Sequence, residues 1–410
     1  MVLGYEIFTQ EAIIRFLYWA YYSSYIWLTL LTGFLFYLVW MKYIRLKWIY
    51  SQKPVLLEVR LPKDIKKSPY AMEVFFTSLF QDDKPTVNDA FLAGKTRPWF
   101  SFELASFGGD VHFFIWTFGR YKNLVEAQIY AQYPTVEILE VPDYTLPVNY
   151  DIKTTTAVGF CMVLSKSDVY PIQTYVDLKL DEKYTNEPEE FTDPISSVLE
   201  YLGSLRPGEQ AWIQIIARAH RKQKFLMDAT FANKDIAKDI DEEIKKIKEE
   251  KSKPDKEGQA PRPLNSLDVK TIESLERSKA KYPFDVAIRS LYLASNDKVN
   301  PANISGLKGA FRQYSNLNLN SFKIGFGTGL DYPWQDFRKM RTNKYRKTFI
   351  DAYKKRSYFE EPHKHWKVEP FVLNTEELAT IFHFPGGVVT TPTVVRVGSK
   401  RGEAPKNLPV

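Results

Sequence analysis

Trp99 to Phe118 reads WFSFELASFGGDVHFFIWTF. Trp99 to Ser106 and Val111 to Phe118 are apolar-rich runs that suit strands. Between them, Gly108-Gly109-Asp110 is turn chemistry, because glycine enters left-handed backbone conformations without a Cβ clash. The spacing predicts a hairpin. Upstream, Val55 to Leu61 alternates as a strand, and Ser68-Pro69 suits the cap and first turn of a helix. Met72, Phe75, Phe76 and Leu79 then recur at helical spacing. Downstream, Lys122 to Gln132 reads as a helix with Leu124, Ala127 and Ala131 on one stripe, and Val136 to Val141 as a strand. The order is β-α-β-β-α-β, the ferredoxin-like arrangement.

The order recurs after Asp168. Gln173 to Leu180 is expected as a strand, and Asp193-Pro194 repeats the cap-plus-proline start. Ile195, Val198, Leu199 and Leu202 repeat the helical spacing, and the Arg206-Pro207-Gly208 turn follows. Ala211 to Ala219 and Phe284 to Leu293 read as paired strands, Pro301 to Tyr314 as a helix and Ser321 to Phe326 as a strand. The expected fold class is α+β: a transmembrane helix, then two ferredoxin-like repeats related by duplication. The repeats are assigned to 55–165 and 166–330, the second with a helical insertion at 229–282. Within the insertion, Ile236, Ile240, Ile244 and Ile247 make an amphipathic Lys/Glu-rich helix of coiled-coil type, about two heptads long. It is expected to project as a solvated arm. Pro254 to Pro263 reads as a linker.

Phe16 to Trp40 carries no charge over 25 residues, and a helix needs about 20 to cross the hydrocarbon core. Tyr and Trp lie towards both ends, and Lys42, Arg45 and Lys47 follow. That basic flank predicts a single membrane pass, residues 1–15 outside, 41–54 juxtamembrane and the remainder cytoplasmic. A signal peptide fits poorly, because the first 14 residues hold Glu6 and Glu11 and no Lys or Arg.

The chain has 410 residues, 44% of them hydrophobic, with 56 Lys+Arg against 49 Asp+Glu. These figures fit a folded protein of two or three domains. One cysteine, Cys161, excludes an intramolecular disulfide and a cysteine-based zinc cluster. GxxxxGK[ST], HExxH and GxSxG do not occur. Gly325 to Gly329 is glycine-rich without the spacing of a phosphate cradle. His363 and His365 lack a metal spacing, and His112, His220 and His383 have no acid-base partner nearby in sequence. Asp82-Asp83 and Glu189-Glu190 read as surface acids. No catalytic, cofactor or metal residue is expected.

The segment 331–372 changes character. Arg338 to Arg356 holds nine basic residues and one acid, Asp351, with Tyr345, Phe349 and Tyr353 interleaved. Arg338, Lys339, Arg341, Lys344, Arg346, Lys347, Lys354, Lys355 and Arg356 are therefore the candidate polyanion-binding residues. Their cations suit phosphates and their aromatic neighbours suit bases, while anionic lipid or bare solvent suits the same pattern. Residues 373–396 follow as a short αβ segment and 397–410 as a linker-like tail.

The runs FTDPISSVLEYLGSLRPGEQAWIQIIARAH, Phe191 to His220, and LNTEELATIFHFPGGVVTTPTVVR, Leu373 to Arg396, carry a resemblance. With the N-terminal apolar segment, residues of about 50 to 400 resemble the DUF8128-type N-terminal domain of membrane-anchored proteins related to conjugative DNA-transfer and type IV secretion ATPases of candidate-phylum bacteria. In such relatives a RecA-like motor follows, and these 410 residues contain none. The resemblance therefore implies an accessory or scaffold module without ATPase activity. Its implied partners are the lipid bilayer, a RecA-like motor ATPase or secretion component, DNA, and further copies of itself. The alternative reading is a membrane-tethered binder of nucleic acid or anionic lipid.

Overall fold

The computed structural model describes residues 2–62, 67–81, 85–181, 193–221, 235–251, 264–330, 332, 334, 336–386 and 396–397. Asp82-Asp83, Glu189-Glu190, the 254–263 linker and the 398–410 tail lie outside them. In chain order the elements are α1 Val2–Tyr22, α2 Ser24–Ser51, β1 Pro54–Pro62, α3 Tyr70–Ser78, α4 Val87–Leu92, β2 Phe100–Phe107, β3 Asp110–Phe118, α5 Lys122–Gln132, β4 Glu137–Val141 and β5 Thr155–Leu164. Then come α6 Pro194–Gly203, β6 Glu209–Ala219, α7 Ile236–Lys251, α8 Ser266–Lys279, β7 Pro283–Ser295, α9 Pro301–Gly309, β8 Phe322–Gly327, α10 Met340–Lys354, β9 Phe371–Asn374, α11 Thr375–Ile381 and β10 Arg396–Val397. The chain is a mixed α+β protein of two units, Met1–Gln52 with Lys84–Arg97, and Lys53–Asp83 with Pro98–Val410.

In the first unit the apolar run is not one helix. α1 ends at Tyr22 and α2 begins at Ser24. The Trp27 indole donates to the Ala20 carbonyl (2.8 Å), taking an acceptor that a continuous helix would offer to the amide of Ser24. This corrects the 16–40 span: the helix long and apolar enough to cross a membrane is α2. Its uncharged part, Ser24 to Met41, is about 27 Å long at 1.5 Å per residue, close to the hydrocarbon thickness. Thr32 donates to the Leu28 carbonyl (2.8 Å), and Thr29 likewise to Tyr25, so both hydroxyls are satisfied inside the helix. The 85–97 segment packs on α2. Phe91 meets Tyr37 at 5.8 Å between ring centroids. Gly94 (φ 65°) lies so close that a Cβ there would stand 2.4 Å from the Ile44 carbonyl.

The second unit is built on one sheet. Its main path runs β10-β1-β3-β2-β6-β7-β5-β8, with β4 on β1 and β9 on β7. The hairpin forms as β2–β3, from Ser101↔Trp116 to Phe107↔Asp110. Gly108 and Gly109 take φ of 66° and 108° in its turn, which explains the glycine pair. β2 also pairs antiparallel with β6, Phe100↔Ala217 to Phe107↔Gln210. Both of these strands are almost wholly buried, so the seam lies in mid-sheet.

Two expectations are corrected here. Gln173 to Leu180 is not a strand. Asp177 accepts from the Thr174 amide and hydroxyl (both 3.1 Å), Leu180 donates back to the Tyr175 carbonyl (2.9 Å), and Lys179 is left-handed at φ 54°. Side chain–backbone bonding closes a turn where alternation suggested an extended run. The strand paired with β7 and β8 is β5 instead, ten residues that lie before the assigned 165/166 boundary. Nor do the insertion's helices project as a solvated arm. Ile240 and Ile244 of α7 pack with Ile272 and Leu275 of α8 and with Val169, while Ile236, Ile247 and Tyr170 cover the edge. Each buried Ile or Leu contributes about 1.5–3 kcal/mol, which outweighs the exposed charges of the outer face. Arg277 then ties α8 to Glu376 (3.0 Å) and Asp177.

The C-terminal segment closes the core. β9 adds to β7, and α11 starts with a capping box in which Asn374 accepts from the Glu377 amide (2.9 Å) and Glu377 accepts from the Asn374 amide (2.9 Å). Phe382 packs on Phe102 (5.4 Å) and Phe384 on Phe113 and Tyr133 (5.5 and 4.9 Å). Between them, buried His383 sets Nδ1 2.8 Å from the Ala379 carbonyl and Nε2 2.8 Å from Asp193. Both neighbours are acceptors, so the ring fits as an imidazolium. Burial opposes that charge, but the Asp193 carboxylate and the Ala379 carbonyl outweigh it and raise the His383 pKa. The sign follows: the stabilisation is complete below the unfolded value, about 6.5, and is lost as pH rises through the raised folded value. The urea-midpoint gap between wild type and His383→Gln is expected to narrow from pH 6 to pH 9. A gap that stays constant or widens would contradict the charged pair.

Candidate functional site

α10 carries most of the basic-aromatic segment, and its two faces differ. Thr342, Phe349, Ile350, Ala352 and Tyr353 are buried. Phe349 is pressed on Gly159 of β5, where a Cβ would meet its ring at 2.5 Å. Arg341, Lys344, Tyr345 and Thr348 stand at i, i+3, i+4 and i+7, one stripe flanking the buried face, the first two exposed and the last two half-buried. Asp336 caps this helix, accepting from the amides of Arg341 (2.7 Å) and Thr342 (2.8 Å).

That stripe forms one wall of an open surface pocket of about 380 Å³, and Trp366 and Lys367 form the other. The rings interlock edge to face: Phe326–Trp366 at 5.1 Å, Phe326–Tyr345 at 5.7 Å and Tyr345–Trp366 at 6.3 Å. Lys367 is left-handed at φ 68°, a conformation costing a non-glycine residue about 1–2 kcal/mol. Its Nζ lies 4.9 Å from the Tyr345 centroid, within cation–π range. The Arg341 hydrogen bond and the Lys367 charge lower the Tyr345 pKa, which marks the pocket as electropositive. Its lining holds three cations and no acid.

The nine candidate residues thus separate. Arg341 and Lys344 line the pocket. Arg338 and Lys339 are exposed before α10, both left-handed at φ 51° and 57°. Lys347 is exposed and Arg346 half-buried. Lys354 donates to the Val148 carbonyl, and Lys355 pairs with Asp351 at 2.7 Å. Arg356 must be withdrawn from the set. It is fully buried and holds Glu103 with two bonds (Nε–Oε1 2.9 Å, Nη2–Oε2 3.0 Å) as well as Asp143. Trp366, Lys367 and Phe326 went unrecognised as site residues. They lie in two irregular or edge segments whose convergence no local spacing announces. The 325–329 stretch includes the end of β8, and Thr328 accepts from the Gly159 amide (3.0 Å).

The histidines find acids on distant elements. His112 meets Glu58 at 2.6 Å, His363 meets Asp351 at 2.6 Å, and buried His220 shares Asp285 with Arg218. Among the described residues no group of three or more His, Cys, Asp or Glu is placed to hold a metal ion.

No curated protein matches the chain. A family model described as a domain of unknown function, DUF8128, matches residues 46–396 and so takes in the whole sheet, the inserted helices and the pocket. The chain belongs to the DUF8128 family.

Proposed function

We propose that this chain is a membrane-anchored accessory or scaffold protein, single-pass at the inner membrane with its sheet domain cytoplasmic, that docks a DNA-transfer or type IV secretion-like motor ATPase and performs no catalysis itself. The observation carrying the reading is α2, a helix exposed along almost its whole length, uncharged from Ser24 to Met41 and then basic at Lys42, Arg45 and Lys47 before its end. The motor partner is supported by the resemblance of Phe191 to His220 and Leu373 to Arg396. The platform is supported by strand order. β4-β1-β3-β2 and β8-β5-β7-β6 follow the same sequence of first, third and second strands, and we read them as two ferredoxin-like repeats joined through β2 and β6.

The expected result is that the full chain resists carbonate extraction and leaves membranes only with detergent. Leu31→Arg with Leu35→Arg costs about 3 kcal/mol per site at mid-span and should move the protein to the soluble fraction. Affinity purification in detergent should recover a RecA-like ATPase. A wild-type protein that is soluble and alone at native expression would defeat the proposal.

A second reading, a membrane-tethered binder of polyanions, is favoured by the pocket of Arg341, Lys344, Tyr345, Thr348, Trp366 and Lys367.

A further inference from the structure

We infer that this pocket is a binding site for single-stranded nucleic acid, each occupied site taking one nucleotide unit; the inference rests on the second reading above and gives it a ligand. A nucleotide presents two unlike surfaces, a charged phosphate and a flat apolar base. The pocket offers a match to each. Arg341, Lys344 and Lys367 surround it with positive charge, and Thr348 adds a hydroxyl. Tyr345 and Trp366 supply ring surface, held from behind by Phe326 and Phe349. Its volume, about 380 Å³, falls within the range of small-ligand sites.

More exposed rings precede the pocket's helix in sequence. Tyr332 and Trp334 stack on each other at 4.7 Å and 15°, both exposed, Trp334 at 79%. Phe337 is also exposed, with the Arg338 guanidinium 5.2 Å from its ring centroid. Through Asp336 this stretch is fastened to the N-terminus of the helix that lines the pocket. Exposed rings beside cations suit a strand whose bases are free to stack. A duplex keeps its bases stacked internally, so these rings would find no partner there. A bilayer also carries phosphates, but its flat surface does not enter a concave site.

The test uses the full chain in nanodiscs of neutral lipid and a fluorescein-labelled dT20, followed by anisotropy. Binding is expected, falling with salt at a log–log slope of about −0.7 for each phosphate met, and so about −1.4 if the two phosphates flanking one nucleotide are held. Lys344→Ala with Lys367→Ala should weaken it about tenfold or more. Tyr345→Leu should weaken dT20 while leaving an abasic oligomer of equal length unchanged. Lys344 and Lys367 are exposed, so the unfolding curve of the double lysine variant should match wild type. Arg338→Glu with Lys339→Glu, confined to the exposed loop, gives a second variant with the same expected direction. Equal affinity for dT20, its abasic analogue and a blunt duplex would overturn the inference, as would unaltered binding in the variants. Capture of heparin or of phosphatidylglycerol vesicles through Lys344 and Lys367, without dT20 binding, would overturn it and leave the polyanion reading standing. Absence of binding to any of these anions would overturn both.

Discussion

Arg356→Met is expected to destabilise the sheet domain by about 3–5 kcal/mol, the usual loss when one member of a buried ion pair is removed. Arg356 and Glu103 are both shut off from solvent. Burial works against the guanidinium charge, but Glu103 and Asp143 more than compensate and push its pKa upward. The network extends from Glu103, which accepts from Ser101 (2.6 Å), Gln214 (2.9 Å) and the Tyr144 hydroxyl (2.8 Å). Gln214 in turn accepts from Arg289 (3.0 Å). Removing the cation leaves Glu103 buried without its counter-charge, held by the neutral donors alone. Methionine keeps the unbranched stem and the same Cβ at φ 46° but stops short of the guanidinium, so the loss combines the missing charge with the vacated space. Urea unfolding of the detergent-solubilised protein measures it. The double variant Glu103→Leu, Arg356→Met should recover much of the loss, because a buried pair replaced by apolar groups is often near neutral. A single-variant loss under about 1 kcal/mol would mean that water reaches the cluster.

Arg356 also shows where sequence reading stopped. It stands two residues past α10 in a run of Lys and Arg, and composition assigned it to the surface. Its backbone turns left-handed there and carries the side chain inward, which no pattern of residue types encodes. Where local chemistry decides the structure, reading succeeded. The glycines of the β2–β3 turn need positive φ, Asp193-Pro194 caps and starts α6, and α9 begins at Pro301 as read. Strand β5 failed the same treatment because Thr155 to Leu164 is buried on both faces in its second half and does not alternate cleanly. Its neighbour in sequence, 173–180, alternates but is folded by Thr174 and Asp177. The pocket was half legible: the Arg341, Lys344, Tyr345, Thr348 wall is a helical stripe, whereas Trp366 and Lys367 reach it by tertiary folding alone.

Gly159→Val should destabilise the sheet domain by about 2 kcal/mol and also disable the pocket. Two effects oppose each other. Replacing glycine within a strand favours folding by roughly 0.5–1 kcal/mol through the unfolded chain. Against this, a Cβ at 159 would stand 2.5 Å from two carbons of the Phe349 ring. Overpacking of this kind costs about 1–3 kcal/mol, and valine adds two methyls to the clash. Phe349 has little room to yield, being fully buried with Trp366 beside it at 6.3 Å. The helix must therefore lift from β5, and it carries Arg341, Lys344, Tyr345 and Thr348 with it. Trp366 and Lys367 stand on the other wall, so the two walls separate. Stability and oligonucleotide affinity are then expected to fall together in Gly159→Val. Both should return towards wild type in Gly159→Ala with Phe349→Leu, where the smaller side chain makes room for the Cβ. A Gly159→Val protein with unchanged melting would show that α10 is not seated on the sheet at this point. Lost stability with full affinity would show instead that the pocket does not depend on that seat.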